Sequence, residues 1–230
     1  MDVLHRGSRG FKVKYLQRLL NSNTGRTSPQ GPWLVEDGVF GQHTEDAVND
    51  FQDSRADLTT DGRVGPATWT ALGLRVEREH RRVLQFGQPD NTSCWSAAAS
   101  SILGNVSVGP GAANAIGGLE ATIDNLAIIA QGLGWTMLNH SPGNRELVDL
   151  VNQKPLWIGA TGEDFGHAVV LSGVYSTGGA NGVNTMFRIH DPWPPNRGSV
   201  YGSFANPLMI NSFYGGAPMR ATNFLVMIPN

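Results

Sequence analysis

The chain holds a single cysteine in 230 residues, Cys94, within "QPDNTSCWSAAAS". A thiol becomes a nucleophile when it is ionised and when a base, itself held by an orienting group, stands beside it. Six histidines are available. His5, His43 and His80 fall in the front part of the chain or just after it, and His140 lies in the loop-like "LNHSPGN". His167 opens "GHAVVLSGVY", and His190 ends "NTMFRIHDPWPP", directly before Asp191. Gln88 stands six residues before Cys94. A side-chain amide there can donate to a developing oxyanion, with the Cys94 backbone N–H as the second donor. Each of these residues also has a plainer reading: a lone cysteine is often a small hydrophobe, and a glutamine an ordinary loop residue.

The elements that must position them follow from local pattern. "SCWSAAASSIL" has helical character, and Asp90, Asn91, Thr92 and Ser93 before it are all preferred cap residues. Cys94 then lies in the first turn, where unpaired N–H groups and the helix dipole favour an anion. The valine-rich run after His167 reads as a buried strand, and the run ending at His190 reads as a strand stopped by prolines. "STGGANGVN" between them reads as a loop. Pairing the two strands as a hairpin centred near residue 179 sets Asp191 opposite His167. His190 then faces the other side, because neighbouring strand residues alternate. A register shift of one residue reverses that choice. Trp95 and Trp193 flank two of these candidates and are either core or substrate contacts; Trp193 could also screen the His–Asp pair from water. "ATIDNLAIIAQGLGW" (121–135) and "GNRELVDLVNQ" (143–153) read as helices, and "KPLWIGA" and "NFLVMIP" as strands. The pattern is that of an α+β domain, helices against an antiparallel sheet.

The front of the chain is a repeat. "DGVFGQHTEDAV" (37–48) and "DGRVGPATWTAL" (61–72) match at a constant offset, sharing Asp37/Asp61, Gly38/Gly62, Gly41/Gly65, Thr44/Thr68 and Ala47/Ala71. Asp-Gly predicts a turn with glycine at positive φ. Apolar positions three and four apart follow it, and Pro66 suits a first helical turn. A compact three-helix unit over about 3–74 is expected.

Composition bounds the rest. Apolar residues make up 40% and charged residues 16%, as in a folded protein. One cysteine excludes an internal disulfide and a thiolate zinc cluster. A net charge of −2 carries no electrostatic footprint for nucleic acid. No apolar stretch approaches the roughly 20 residues of a membrane span. "MDVLHRGSRG" has no apolar core of a secretory signal, so export would use another route or a trimmed signal. "RVEREHRR" at 75–82 has mixed signs and reads as solvated surface or linker. No "HExxH" or comparable ligand spacing is present, and no metal or cofactor is expected.

Two resemblances emerge. "GSRGFKVKYLQRLLN", "DGVFGQHTEDAVNDFQ" and "DGRVGPATWTAL" together resemble the peptidoglycan-binding domain of bacterial cell-wall hydrolases. That resemblance implies binding to the wall polymer, with Phe40, Gln42 and Thr44 as candidate groove residues, Phe40 equally a core residue. Gln88 and Cys94-Trp95, then Gly166-His167, then Asp191-Pro192-Trp193 resemble the papain-like cysteine peptidases, closest to compact bacterial effector proteases and bacteriocin-leader peptidases. The resemblance implies Cys94 as nucleophile, His167 as base, Asp191 as orienter and Gln88 as oxyanion donor. The chain departs from papain in carrying Thr92-Ser93 before the cysteine and Asp as orienter, and the 73 residues from Cys94 to His167 require a reduced lobe. The expected organisation is a wall-binding domain at 1–74, a linker at 75–85 and a papain-like domain at 86–230. The expected function is amide hydrolysis at the bacterial wall by a lytic enzyme or secreted antibacterial toxin, acting in the periplasm, at the wall of a target cell or outside cells. Its partners would be peptidoglycan, a peptide or protein substrate and a cognate immunity protein. The alternatives are a protease of protein substrates tethered by the wall module, and a non-enzymatic wall-binding protein.

Overall fold

A computed structural model describes residues 1–23, 34–105, 123–161, 166–179, 181–211 and 218–230. The chain divides into two compact units, Met1–Glu77 with Ser176–Gly178, and Arg78–Tyr175 with Gly179–Asn230.

The first unit contains α1 (Phe11–Asn23), α2 (Gln42–Asp53) and α3 (Pro66–Ala71). The residues spaced three and four apart turn inward: Val13, Leu16, Leu19, Leu20 and Val48 are fully buried. Each such side chain contributes about 1.5–3 kcal/mol. Tyr15 stacks on Trp69 with ring centroids 6.2 Å apart. The sequence repeat is also a structural one. Gly38 and Gly62 sit at φ +74° and +68°, the left-handed region that the Asp-Gly turn requires. Gly41 and Gly65 are the N-caps of α2 and α3.

A buried glutamine lies under each turn, which the repeat did not announce. Gln17 Oε1 accepts from Gly38 N at 2.9 Å, and its Nε2 donates to Asp37 Oδ1 (2.9 Å), Val39 O (3.2 Å) and Thr44 Oγ1 (3.3 Å). Gln52 repeats the pattern with Gly62 N (3.0 Å), Asp61 Oδ1 (3.2 Å), Arg63 O (2.8 Å) and Thr68 Oγ1 (3.2 Å). A buried amide is stabilising only when its hydrogen bonds are made, so each glutamine locks one turn to its helix. This network corrects two groove expectations. Thr44 belongs to it and is 2% exposed, while Phe40 is 1% exposed. Both serve the interior. Gln42 is exposed, with its amide on Asp46 Oδ1 at 2.7 Å.

The second unit is built on an antiparallel sheet. β2 (Thr136–Met137), β9 (Asn223–Ile228), β3 (Leu156–Thr161), β4 (Gly166–Ser176), β5 (Thr185–Asp191) and β6 (Ser199–Phe204) are neighbours in that order. β7 (Met209–Asn211) and β8 (Pro218–Arg220) form a separate ribbon. The register sets Ala160 opposite His167, and Asp191 opposite Ser199. Beyond its first residue β4 is buried throughout, which is why it reads as a near-continuous apolar run.

The mixed-charge run expected as a linker is instead ordered into β1 (Val76–Glu79), which pairs with β4. His80 N continues the contact by donating to Ser172 O at 2.8 Å. Charged side chains suit a strand with solvent on one side, so composition alone could not separate it from a linker.

The helices of this unit are α4 (Cys94–Leu103), α5 (Ile123–Leu133) and α6 (Asn144–Gln153). Residues 121 and 122, expected in the second of these, lie outside the described residues. Trp95, Ala98 and Ala99 of α4 share a core with Leu126, Ile129 and Ala130 of α5 and with Trp157, Ala168 and Val170 of the sheet. The alanines let α4 approach the sheet closely. No described helix is long and apolar enough to cross a membrane. The architecture is α+β, with a small helical first unit.

Candidate active site

Cys94 is the first residue of α4 and is half-buried. The chain enters the helix through a turn organised by Asp90, whose Oδ1 accepts from Thr92 N (2.8 Å) and Thr92 Oγ1 (2.9 Å). Ser93 occupies the N-cap position, but its side chain makes no capping bond to the helix. Its hydroxyl instead accepts from Asp90 N at 3.3 Å. The first turn is also held from the sheet: Trp157 Nε1 on β3 donates to Trp95 O at 3.0 Å. The Trp95 side chain is 6% exposed and packs in the core, so the expectation of a substrate contact there is corrected.

His167 Nε2 meets Asp191 Oδ1 at 2.7 Å, with both side chains fully buried. Nδ1 has no hydrogen-bond partner of ordinary geometry among the described residues. The Cys94 sulfur nonetheless lies near enough to act on the ring both as hydrogen-bond partner and as negative charge. Burial disfavours a charged ring. The bonds to Asp191 and Cys94 and the charges of both outweigh it, and the His167 pKa is raised to about 9. The imidazole thus keeps its proton at neutral pH when the sulfur is ionised.

His190, one residue from Asp191, is turned elsewhere. Its Nδ1 donates to Leu84 O at 3.1 Å. Burial first, then the charge of Arg188, lower its pKa to about 4 against the opposing bond to Leu84. Strand alternation turns these two adjacent residues to opposite faces of the sheet.

Asp191 is held at several points. Its Oδ1 also accepts from Trp193 N (2.8 Å), its Oδ2 from Tyr201 Oη (2.8 Å), and its backbone O from Gln85 Nε2 (2.9 Å). Trp193 is half-buried, and its carbonyl accepts from Ser199 Oγ at 2.9 Å. Gln88 is stitched to the same loop: its backbone N donates to Pro192 O at 3.0 Å, and its O accepts from Asn196 N at 2.7 Å. A Cβ at the preceding Gly87 would overlap the backbone of Asn196 and Arg197, so this seam needs glycine. The Gln88 side chain is fully buried, with Nε2 donating to Asp90 O at 2.7 Å. An amide nitrogen carries two hydrogens, which leaves a second donor for another oxygen.

Sequence reasoning missed Tyr201 and Gln85. The alternation in "SVYGSF" marks a strand, but which of its residues reaches Asp191 depends on the β5–β6 register. Among the described residues no group of three or more His, Cys, Asp or Glu is placed to hold a metal ion.

This arrangement joins a thiol at a helix start to a buried imidazole that is paired with a carboxylate. Comparison with known families agrees with both halves of the chain. Residues 9–72 match the family model of a peptidoglycan binding domain. Residues 77–209 match the family model described as papain-like cysteine protease AvrRpt2. No curated protein matches the chain. β9 lies beyond the second match yet sits between β2 and β3 in the sheet. With more than half its length covered by the second model and the first preceding it, the chain belongs to the AvrRpt2 family of papain-like cysteine proteases and carries an N-terminal peptidoglycan-binding domain.

Proposed function

We propose that Cys94, His167 and Asp191 act as a catalytic triad that cleaves amide bonds at the bacterial cell wall. The observation that carries this reading is the buried 2.7 Å bond from His167 to Asp191, with the Cys94 sulfur near enough to act on the same ring. His167 takes the proton of the Cys94 thiol. The thiolate attacks the amide carbonyl carbon, and a C–S bond forms. The resulting oxyanion takes hydrogen bonds from Gln88 Nε2 and the Cys94 backbone N–H. His167 passes its proton to the amine nitrogen as the C–N bond breaks. Water then attacks the thioester with His167 as base, freeing the acid and restoring the thiol.

The peptidoglycan-binding domain at about 1–74 supports a role in bringing residues 86–230 to the wall. The substrate would be a stem peptide of peptidoglycan, and the protein a lytic enzyme or antibacterial toxin acting at the wall or in the periplasm of a target cell. A producing cell would then need a cognate inhibitor. A second reading, a protein substrate with the wall module as tether, is favoured by the match to a protease family.

Digestion of purified sacculi, followed by mass spectrometry of released fragments, separates these readings. New amine ends that vanish in Cys94→Ala support the wall substrate. Intact sacculi alongside thiol-dependent cleavage of unfolded proteins support the second reading. Turnover of neither sinks both.

A further inference from the structure

We propose that Tyr201 is a positioning residue for the His167–Asp191 pair, its hydroxyl holding one carboxylate oxygen so that the other faces the ring. This rests on the triad reading above. A carboxylate turns about its last single bond with little preference, so the oxygen that meets His167 must be selected by the donors around it. Oδ1 takes two, His167 Nε2 at 2.7 Å and Trp193 N at 2.8 Å. Oδ2 takes the Tyr201 hydroxyl at 2.8 Å. The Asp191 side chain is fully buried, so water is not at hand to replace a lost donor.

The sheet explains why a tyrosine does this. Register pairs Asp191 with Ser199, and Ile189 with Tyr201. Ser199 is the direct neighbour, but its hydroxyl is used on Trp193 O at 2.9 Å. Tyr201 stands on the diagonal, a separation that only a long side chain bridges. It is half-buried, with the hydroxyl at Asp191. Without that hydroxyl, Oδ2 is a buried charged oxygen in search of a donor. Turning toward the ring would then spoil the alignment of Oδ1 with Nε2.

The test is Tyr201→Phe in the full chain, which removes one oxygen and keeps the ring. The His167 titration is followed by NMR and assigned by its loss in His167→Asn. The alkaline titration is expected to move down by about one pH unit, the size of a weakened charge-assisted bond. With substrate, kcat is expected to fall about tenfold with KM unchanged. In an Asp191→Asn background the hydroxyl has no carboxylate to hold, and Tyr201→Phe is expected to add no further movement. An unmoved or raised titration overturns the positioning role, as does an equal further movement in the Asp191→Asn background. The titration needs no substrate. A chain that cleaves neither sacculi nor protein but shows the downward movement would refute the protease reading and leave the positioning intact.

Discussion

Replacing Asp191 by Asn tests the electrostatics of the site most directly. The carboxylate receives three donors, of which His167 Nε2 is the closest at 2.7 Å. An Asn side chain can keep the shape but not the charge. In the native protein the His167 pKa is raised from 6.5 to about 9. At roughly 1.4 kcal/mol per pH unit, this favours the charged ring by about 3 kcal/mol. Burial alone would push the other way, and the bond to Asp191 is the largest influence opposing it. With the charge gone, His167 is expected to be neutral at pH 7, and the thiolate loses its counter-ion. About 3 kcal/mol corresponds to roughly a hundredfold fall in kcat/KM at pH 7. The chain offers an assay that needs no substrate, since Cys94 is its only cysteine and every alkylation event reports on that sulfur. Iodoacetamide labelling across pH 5–10 is expected to give a different rate-against-pH profile in Asp191→Asn than in the wild type, with slower labelling at pH 7, because the ring beside the sulfur no longer carries charge. Superimposable profiles would mean that Asp191 does not act on Cys94 through His167, and the electrostatic account would be wrong.

Other expectations follow from the same geometry. Gln88→Ala should lower kcat by about 10²-fold or more while leaving alkylation of Cys94 intact, because an oxyanion donor acts only once the oxyanion forms; a KM effect alone would point to substrate binding. Gln17→Ala or Gln52→Ala should destabilise the first unit by about 1–3 kcal/mol in urea titration of the full chain, by stripping partners from Gly38 N or Gly62 N. His190 is buried with its pKa lowered from 6.5 to about 4, so its contribution to stability is complete above pH 6.5 and is lost as pH falls toward 4. That loss should reach about 3 kcal/mol and disappear from the pH dependence of His190→Gln; an unchanged slope would assign acid sensitivity to other groups. The raised pKa of His167 has the opposite sign: its contribution is complete below pH 6.5 and fades as pH rises through about 9, a loss that His167→Asn should remove from alkaline melts.

How far the chain could be read before folding differs by region, and the reason is the distance over which each signal acts. The Asp-Gly turns, the glycine N-caps and the inward leucines of α1 are set by neighbours a few residues away, so local pattern determined them. The helix that starts at Cys94 and the buried strand after His167 are legible for the same reason. Even the meeting of His167 with Asp191 could be approached by counting along a hairpin, because a single loop separates the two strands.

What only the tertiary structure decided lies across longer separations. Gln17 and Gln52 look like polar residues on helix faces until the turns they support close over them. Thr44 is a groove candidate by its motif, but the packing of the first unit turns it inward, and of the two readings open for Phe40 the core one holds. The charged run at Val76–Glu79 becomes a strand because β4 presents an open flank to it. Tyr201 reaches Asp191 only through the β5–β6 register. Sequence spacing specifies which way a side chain points along its own element, because backbone periodicity is local. Which atoms it meets depends on how separate elements pack, and that is settled by burial and hydrogen bonding over the whole fold.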